Sequence, residues 1–109
     1  MRMNMANCIK RDNILIDFML KHKGKENAVS QKKICKFLCE EGFKCEVGTV
    51  HSILKNIIQQ RHLPICSLNS RGYYWAKTKD DVLSCISHLE KRITALQEHI
   101  AHLFDFIIE

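Results

Sequence analysis

Apolar residues recur every three or four positions along most of this chain, a spacing typical of amphipathic helices. Helix-capping side chains stand before the first two runs, Asp12 or Asn13 before the first and Ser30 before the second. Gly42 follows the second run as a left-handed terminator, and residues 1–11 are interpreted as a flexible arm. The predicted helices are, in chain order, about 13–22, 31–41, about 47–60 and about 79–108.

Two short β-rich runs lie between the third and fourth predicted helices, at 63–68 and 73–76. The four residues that separate them end in Gly72, so the pattern predicts a β-hairpin. A very short strand is also predicted at 28–29. The predicted elements follow the order of a winged helix-turn-helix, which is helix, strand, helix, turn, helix, hairpin, helix. The predicted fold class is therefore mainly α with a small β-hairpin. The predicted domains are a winged helix-turn-helix over 12–78 and a dimerisation helix, forming a coiled coil, over 79–109.

The last predicted helix carries a heptad stripe of eight apolar residues whose spacings alternate between four and three. Isoleucine at a and leucine at d favour a parallel two-stranded coiled coil, whereas the extra apolar residues Phe104, Phe106 and Ile108 favour an antiparallel or four-helix arrangement. A helix of about 30 residues extends roughly 45 Å and is too long for one small domain to cover, so a homodimer is predicted. Leu83 and Cys85 indicate that its first turns pack on their own domain. The predicted dimerisation residues are Val82, Ile86, Leu89, Ile93, Leu96, Ile100, Leu103 and Ile107.

The charge is unevenly distributed along the 109 residues. Residues 1–78 hold 14 Lys and Arg against 6 Asp and Glu, whereas residues 79–109 hold 3 against 6. A basic body joined to a mildly acidic tail is typical of a polyanion-binding unit with a separate assembly element. We find no signal peptide and no bilayer-spanning apolar run, so we expect a cytoplasmic protein without a membrane partner. In that compartment the six cysteines are expected to be reduced, small apolar residues.

The candidate metal ligands have an unusual spacing. Cys35, Cys39, Cys45 and His51 form a C-x3-C-x5-C-x5-H pattern, which lacks the paired C-x2-C knuckles of structural zinc sites. No nucleophile elbow, phosphate loop or H-E-x-x-H motif occurs in the sequence. We therefore expect no metal, no cofactor and no enzymatic activity.

The third predicted helix is the candidate DNA-reading element, because helix-turn-helix domains place this helix in the major groove. If Val50, Leu54 and Ile57 face the core, polar residues of hydrogen-bonding types face outward. Basic residues nearby, and polar residues at the tip of the hairpin, are candidates for phosphate contacts. The predicted DNA-binding residues are Gln31, Lys32, Lys33, Thr49, His51, Ser52, Lys55, Asn56, Arg61, Asn69, Ser70 and Arg71.

Several runs of the sequence resemble winged-helix regulators. The run T-V-x-x-I-L-x-x-I at 49–57 resembles their recognition helix. A second set of runs resembles small winged-helix proteins encoded by phages and mobile elements of Gram-positive bacteria. These runs are L-P-I-C-S at 63–67, R-G-Y-Y-W-A at 71–76 and L-E-x-R-I at 89–93. The chain departs from many of them at Ser52, where they place an arginine. The architecture is also similar to PadR-like repressors and the replication terminator protein, in which a last helix dimerises.

This resemblance implies a homodimeric transcriptional regulator that reads a palindromic site in double-stranded DNA. An alternative from the same source is a protein-binding inhibitor on a winged-helix scaffold. Its partner would be a host protein, either a defence nuclease, as for anti-CRISPR proteins, or a replication factor.

Overall fold

The computed structural model describes residues 4–68 and 72–107 and is mainly helical, with one antiparallel hairpin and a long C-terminal helix. Short 3-10 turns at Lys25–Asn27 and Val47–Thr49 precede the second and third helices. The elements are α1 (Met5–Leu20), α2 (Gln31–Glu40), α3 (Val50–Arg61), β1 (Ile65–Ser67), β2 (Tyr73–Trp75) and α4 (Lys79–Phe104).

Helix α1 begins earlier than the sequence pattern predicted. It starts at Met5 instead of residue 12 or 13, so residues 5–11 are helical and the prediction of a flexible arm is wrong for them. The reason is an N-cap at Asn4, whose side chain accepts a hydrogen bond from the backbone N–H of Asn7 at 2.8 Å. Neither glycine nor proline interrupts the segment that follows.

The ends of α2 confirm the predicted caps. The Ser30 hydroxyl accepts a hydrogen bond from the backbone N–H of Lys33 at 3.2 Å. Gly42 has a φ of +92°, and the N–H of the next residue, Phe43, donates to the Leu38 carbonyl at 2.9 Å. This pattern is a Schellman motif, in which a left-handed glycine lets the chain turn back while the last carbonyls of the helix stay paired.

The hairpin buries side chains on both faces. Its register pairs are Ile65–Trp75, Cys66–Tyr74 and Ser67–Tyr73. Ile65 and Tyr73 belong to the main core beneath the helices. Because successive strand residues alternate sides, Cys66 and Tyr74 face the opposite way, where Cys66 meets the thiol of Cys85 in α4.

A third segment completes the edge of the hairpin. Val29 and Tyr73 exchange two backbone hydrogen bonds of 2.8 Å, and the N–H of Trp75 donates to the His22 carbonyl at 2.8 Å. The short strand predicted at 28–29 is therefore a single bridge. The hairpin, this segment and the first three helices enclose one core, whose fully buried members are Leu15, Met19, Val29, Ile34, Leu38, Val50, Leu54 and Ile57.

Helix α4 starts at a capping box and then extends away from the body of the fold, which consists of the first three helices and the hairpin. The Thr78 hydroxyl accepts from the backbone N–H of Asp81 at 3.2 Å, and the Asp81 carboxylate accepts from that of Thr78 at 3.3 Å. The Lys25 ammonium donates to the Ser84 hydroxyl at 2.6 Å and ties the second turn to the body. Cys85 is half-buried as predicted, whereas Leu83 is 50% exposed and does not pack on its own domain.

The far part of α4 extends beyond the rest of the fold. No residue of α4, all of which the structure describes, is buried. The radius of gyration is 16.7 Å, compared with about 13 Å for a compact domain of this length. The helix ends at Phe104, earlier than the predicted residue 108, because residues 105–107 bond three positions back in turns. Ile107 therefore lies beyond the helix, and Ile108 is outside the described residues.

A candidate nucleic-acid interface

Helix α3 presents a polar face that carries no negative charge. Val50, Leu54 and Ile57 are fully buried, which confirms the predicted inward side. Ser52, Lys55 and Asn56 are exposed on the outer side, as is Gln59, which lies on the same side but was not among the predicted site residues. Helix α3 is described over its whole length and contains no acidic residue. This side of the helix can therefore approach a polyanion without charge repulsion.

Thr49 has a structural role at the start of α3. Its hydroxyl donates to the Glu46 carbonyl at 2.8 Å and lies 3.4 Å from the Glu46 backbone N–H. These contacts close a reciprocal capping box around the 3-10 turn that leads into the helix. The side chain is exposed, but its hydrogen-bonding capacity is used largely within the chain.

A buried tyrosine joins the N-terminus of α2 to the first turn of α3. The Gln31 side-chain amide donates to the Tyr73 hydroxyl at 3.2 Å, and the same oxygen lies 2.9 Å from Nδ1 of His51. Either group can supply the hydrogen of this second bond, because a tyrosine hydroxyl both donates and accepts. Because Tyr73 is only 5% exposed, these contacts hold two predicted site residues, Gln31 and His51, close together.

The remaining predicted residues fall in different places. Lys32 and Lys33 are exposed in the first turn of α2, where free backbone N–H groups also attract anions. Arg61 is at the other end of α3 and donates to the Asn13 side chain in α1 at 2.6 Å. The structure therefore does not bring Arg61 together with the outer face of α3. Three further predicted residues lie outside the described residues, namely Asn69, Ser70 and Arg71.

An open groove of about 330 Å³ separates α3 from α4, with the hairpin below it. Its apolar wall consists of the partly exposed Ile58 of α3 and the exposed Leu89 of α4, and the buried Leu54 and Ile65 lie beneath them. Its polar rim combines His51 and Lys55 of α3 with His88 and Arg92 of α4. His88 and Arg92 were not among the predicted site residues. Their proximity to α3 depends on how α4 docks, which no local pattern reports.

Cys35 and Cys66 are the buried cysteines of the described residues. The thiols of Cys35 and Cys39 both point to the carbonyl oxygen of Cys45, at 3.1 and 3.5 Å. Burial raises the pKa of Cys35 to about 11, and burial with a contact to Cys85 raises the pKa of Cys66 to about 12. Among the described residues, no three His, Cys, Asp or Glu side chains are arranged to hold a metal ion.

Within the described ranges, no helix combines the length and apolar character that a bilayer crossing requires. Comparison with protein-family models, with curated proteins and with solved structures finds no match to this chain.

Proposed function

We propose that this chain is a homodimeric DNA-binding protein of the winged helix-turn-helix class. In this proposal α2 and α3 form the helix-turn-helix, the hairpin is the wing, and α4 joins two copies. It acts as a transcriptional regulator of a phage or mobile element and reads a palindromic site. This source comes from the sequence resemblance alone.

The observation that carries the proposal is the acid-free outer face of α3 beside the basic N-terminus of α2. Lys55 and the exposed Lys32 and Lys33 supply positive charge, while Ser52 and Asn56 supply hydrogen-bonding groups for base edges. His51, held by Tyr73, adds the second ring nitrogen, Nε2, as a hydrogen-bonding group at the edge of the same surface. Phosphate contacts provide affinity and polar contacts in a groove provide sequence preference, so the surface has both parts of a DNA-reading site.

The dimer follows from the apolar stripe of α4. All eight predicted stripe residues are exposed in a single copy, from 39% for Val82 to 73% for Ile107. An apolar patch of this length on a monomer marks an interaction surface. The heptad spacing commits it to another helix of the same kind, because a and d residues interdigitate with a matching stripe.

The flanks of the stripe favour an antiparallel pair. If Ile93 of one copy faces Leu96 of the second, every a residue meets a d residue along the whole stripe. The stripe is widened at its start by Leu83 and at its end by Phe104, which are 50% and 56% exposed. The antiparallel register brings Leu83 of one copy against Phe104 of the other, whereas a parallel register leaves both side chains in water.

The same register gives a spacing that suits duplex DNA. Cys85, where α4 contacts its own body, lies between nine and ten residues from the centre of the stripe. At about 1.5 Å per residue the two contact points are about 28 Å apart along the paired helices. Successive major grooves on one side of a duplex are about 34 Å apart, so two bodies attached here are suitably placed for two half-sites.

Binding of the full chain to duplex DNA tests the first part of the proposal. Fluorescence anisotropy with a labelled random-sequence duplex at low salt is expected to show binding that weakens steeply as salt rises. Lys55→Gln is expected to weaken binding to all sequences and to reduce the salt slope by about one. Lys91→Gln, an exposed lysine on the outer side of α4, is the matched control and is expected to behave as wild type. Absence of binding at low salt would refute the proposal.

A double-mutant cycle tests the orientation of the dimer. Leu83→Ala and Phe104→Ala are made singly and together, and the dimer dissociation constant is measured by sedimentation equilibrium. The antiparallel register predicts that the two changes couple by about 0.5–1.5 kcal/mol. In a parallel pair the two positions are 21 residues apart, so the changes would add without coupling and the antiparallel register would be wrong.

One observation favours the second candidate, a protein-binding inhibitor. The outer face of α3 carries a single lysine among its exposed residues, since Arg61 is held by Asn13 on α1. Sequence-specific DNA readers commonly use arginine at this place. Stoichiometric capture of one host nuclease or replication protein by a chain that does not bind duplex DNA would favour this candidate.

A further inference from the structure

The groove between α3 and α4 has the composition of a site for an amphipathic ligand. Its volume of about 330 Å³ is at the small end of the range for organic ligands. The apolar wall formed by Ile58 and Leu89, backed by the buried Leu54 and Ile65, suits a short acyl chain or a single aromatic system. An apolar wall with a few convergent polar groups is the general pattern of small-molecule sites.

The charge of the rim selects the head group. Lys55 stands on one side of the groove and Arg92 on the other, with His51 and His88 beside them. None of the twelve described residues that line the groove carries a carboxylate. A guanidinium can hold a carboxylate through two parallel hydrogen bonds, so an anionic head group is favoured over a neutral or cationic one.

The groove remains accessible when α4 pairs with a second copy. Its α4 wall consists of Cys85, His88, Leu89 and Arg92, which follow one side of the helix. The stripe is rotated away from this side, and only Leu89 belongs to both surfaces. A partner helix seated on the stripe therefore borders the groove at Leu89 without filling it.

We propose that this groove binds a small amphipathic carboxylate and that the ligand competes with DNA. Binding follows from the groove itself, whereas the competition rests on the proposed DNA-binding function. Lys55 and His51 belong both to the groove rim and to the predicted DNA-reading residues. A carboxylate that engages them removes them from phosphates and bases, so the ligand and the duplex exclude each other.

The test uses decanoate and 1-naphthoate as probes on the full chain without DNA, followed by amide chemical-shift titration. At least one of the two is expected to give saturable shifts in the groove residues of α3, β1 and α4. Decan-1-ol and decyltrimethylammonium are expected to bind at least about tenfold more weakly than decanoate, because they lack the anionic head. If decyltrimethylammonium binds as tightly as decanoate, the binding is adsorption to the exposed stripe and the proposed site is wrong. The site is also wrong if neither carboxylate gives saturable shifts at millimolar concentration.

A matched pair of variants locates the head group. Arg92→Gln is expected to weaken binding of the carboxylate about tenfold, because it removes a charge-assisted hydrogen bond. Lys91→Gln removes the same charge from the next residue of α4, which does not line the groove, and is expected to bind as wild type. Equal affinities in the two variants would contradict the assignment of Arg92.

The competition is measured separately by anisotropy with a labelled duplex. Saturating carboxylate is expected to raise the apparent dissociation constant for DNA at least about tenfold. If the carboxylate binds in the groove but DNA affinity does not change, the competition is wrong and the site stands. If the carboxylate binds and the chain binds no DNA at all, the proposed function fails and the site again stands.

Discussion

Leu96→Ala tests the α4 stripe, on which the proposed dimer depends. Leu96 occupies a d position near the centre of the α4 stripe and is 58% exposed in a single copy. Alanine keeps the helix intact, since it has the highest helix propensity, but it removes most of the apolar side chain. The matched control is Glu98→Ala, which changes an exposed residue two positions later that does not belong to the stripe.

The expected size of the effect follows from the exposed fraction. Complete burial of a leucine contributes about 1.5–3 kcal/mol, so burying the 58% that is still exposed contributes about 1–2 kcal/mol per copy. Two copies double this figure, and alanine retains about a third of the apolar surface. The net loss is therefore about 1.3–2.7 kcal/mol per dimer, which corresponds to a dissociation constant raised roughly 10- to 100-fold.

Sedimentation equilibrium over a range of protein concentrations measures the dissociation constants. Wild type and Glu98→Ala are expected to be dimers at micromolar concentration, and Leu96→Ala is expected to shift measurably towards monomer. Circular dichroism shows whether each variant keeps its helix content. A monomeric wild type at these concentrations would contradict the proposed dimer, and so would a Leu96→Ala variant that dimerises as tightly as Glu98→Ala.

Three further predictions concern the body of the fold. A Cβ at Gly72 would lie 2.8 Å from the Val29 carbonyl carbon. Gly72→Ala is therefore expected to lower the free energy of unfolding in urea by about 1–3 kcal/mol. An unchanged urea midpoint of unfolding would contradict this close approach of Gly72 to the Val29 backbone. Thr78→Ala removes the N-cap of α4 and is expected to reduce thermal stability by about 1 kcal/mol, whereas the exposed Thr94→Ala stays within about 0.5 kcal/mol. The pKa of Cys66 is raised from 9.0 to about 12, so between these pH values the unfolded chain loses a proton that the folded chain keeps, and stability falls as pH rises. Cys66→Val is expected to flatten this alkaline slope in urea unfolding, and an unchanged slope would show that other groups cause it.

Local patterns predicted most of the elements because their causes are local. Three such features pair backbone hydrogen-bonding groups with partners only a few residues away. They are the Ser30 cap, the left-handed Gly42 and the capping box at Thr78. The early start of α1 was missed although its cause is also local. Asn4 is a good N-cap, but the apolar spacing behind it is too weak to mark a helix.

The candidate sites were predictable to different degrees. The outer face of α3 followed from helical periodicity, since Val50 and Leu54 fix the buried side and thereby place Ser52 and Asn56 outside. The separation of Arg61 from them was not predictable, because it depends on the approach of Asn13 from another helix.

Spacing and capping among near neighbours predict the helices, the hairpin and the α4 stripe. The burial of Cys66 of β1 against α4 and the groove shared by Lys55 and Arg92 arise only when the elements pack together. These contacts join residues far apart in sequence. Their positions are set by how whole elements pack, and packing depends on the combined shape of the core and not on any single run of residues.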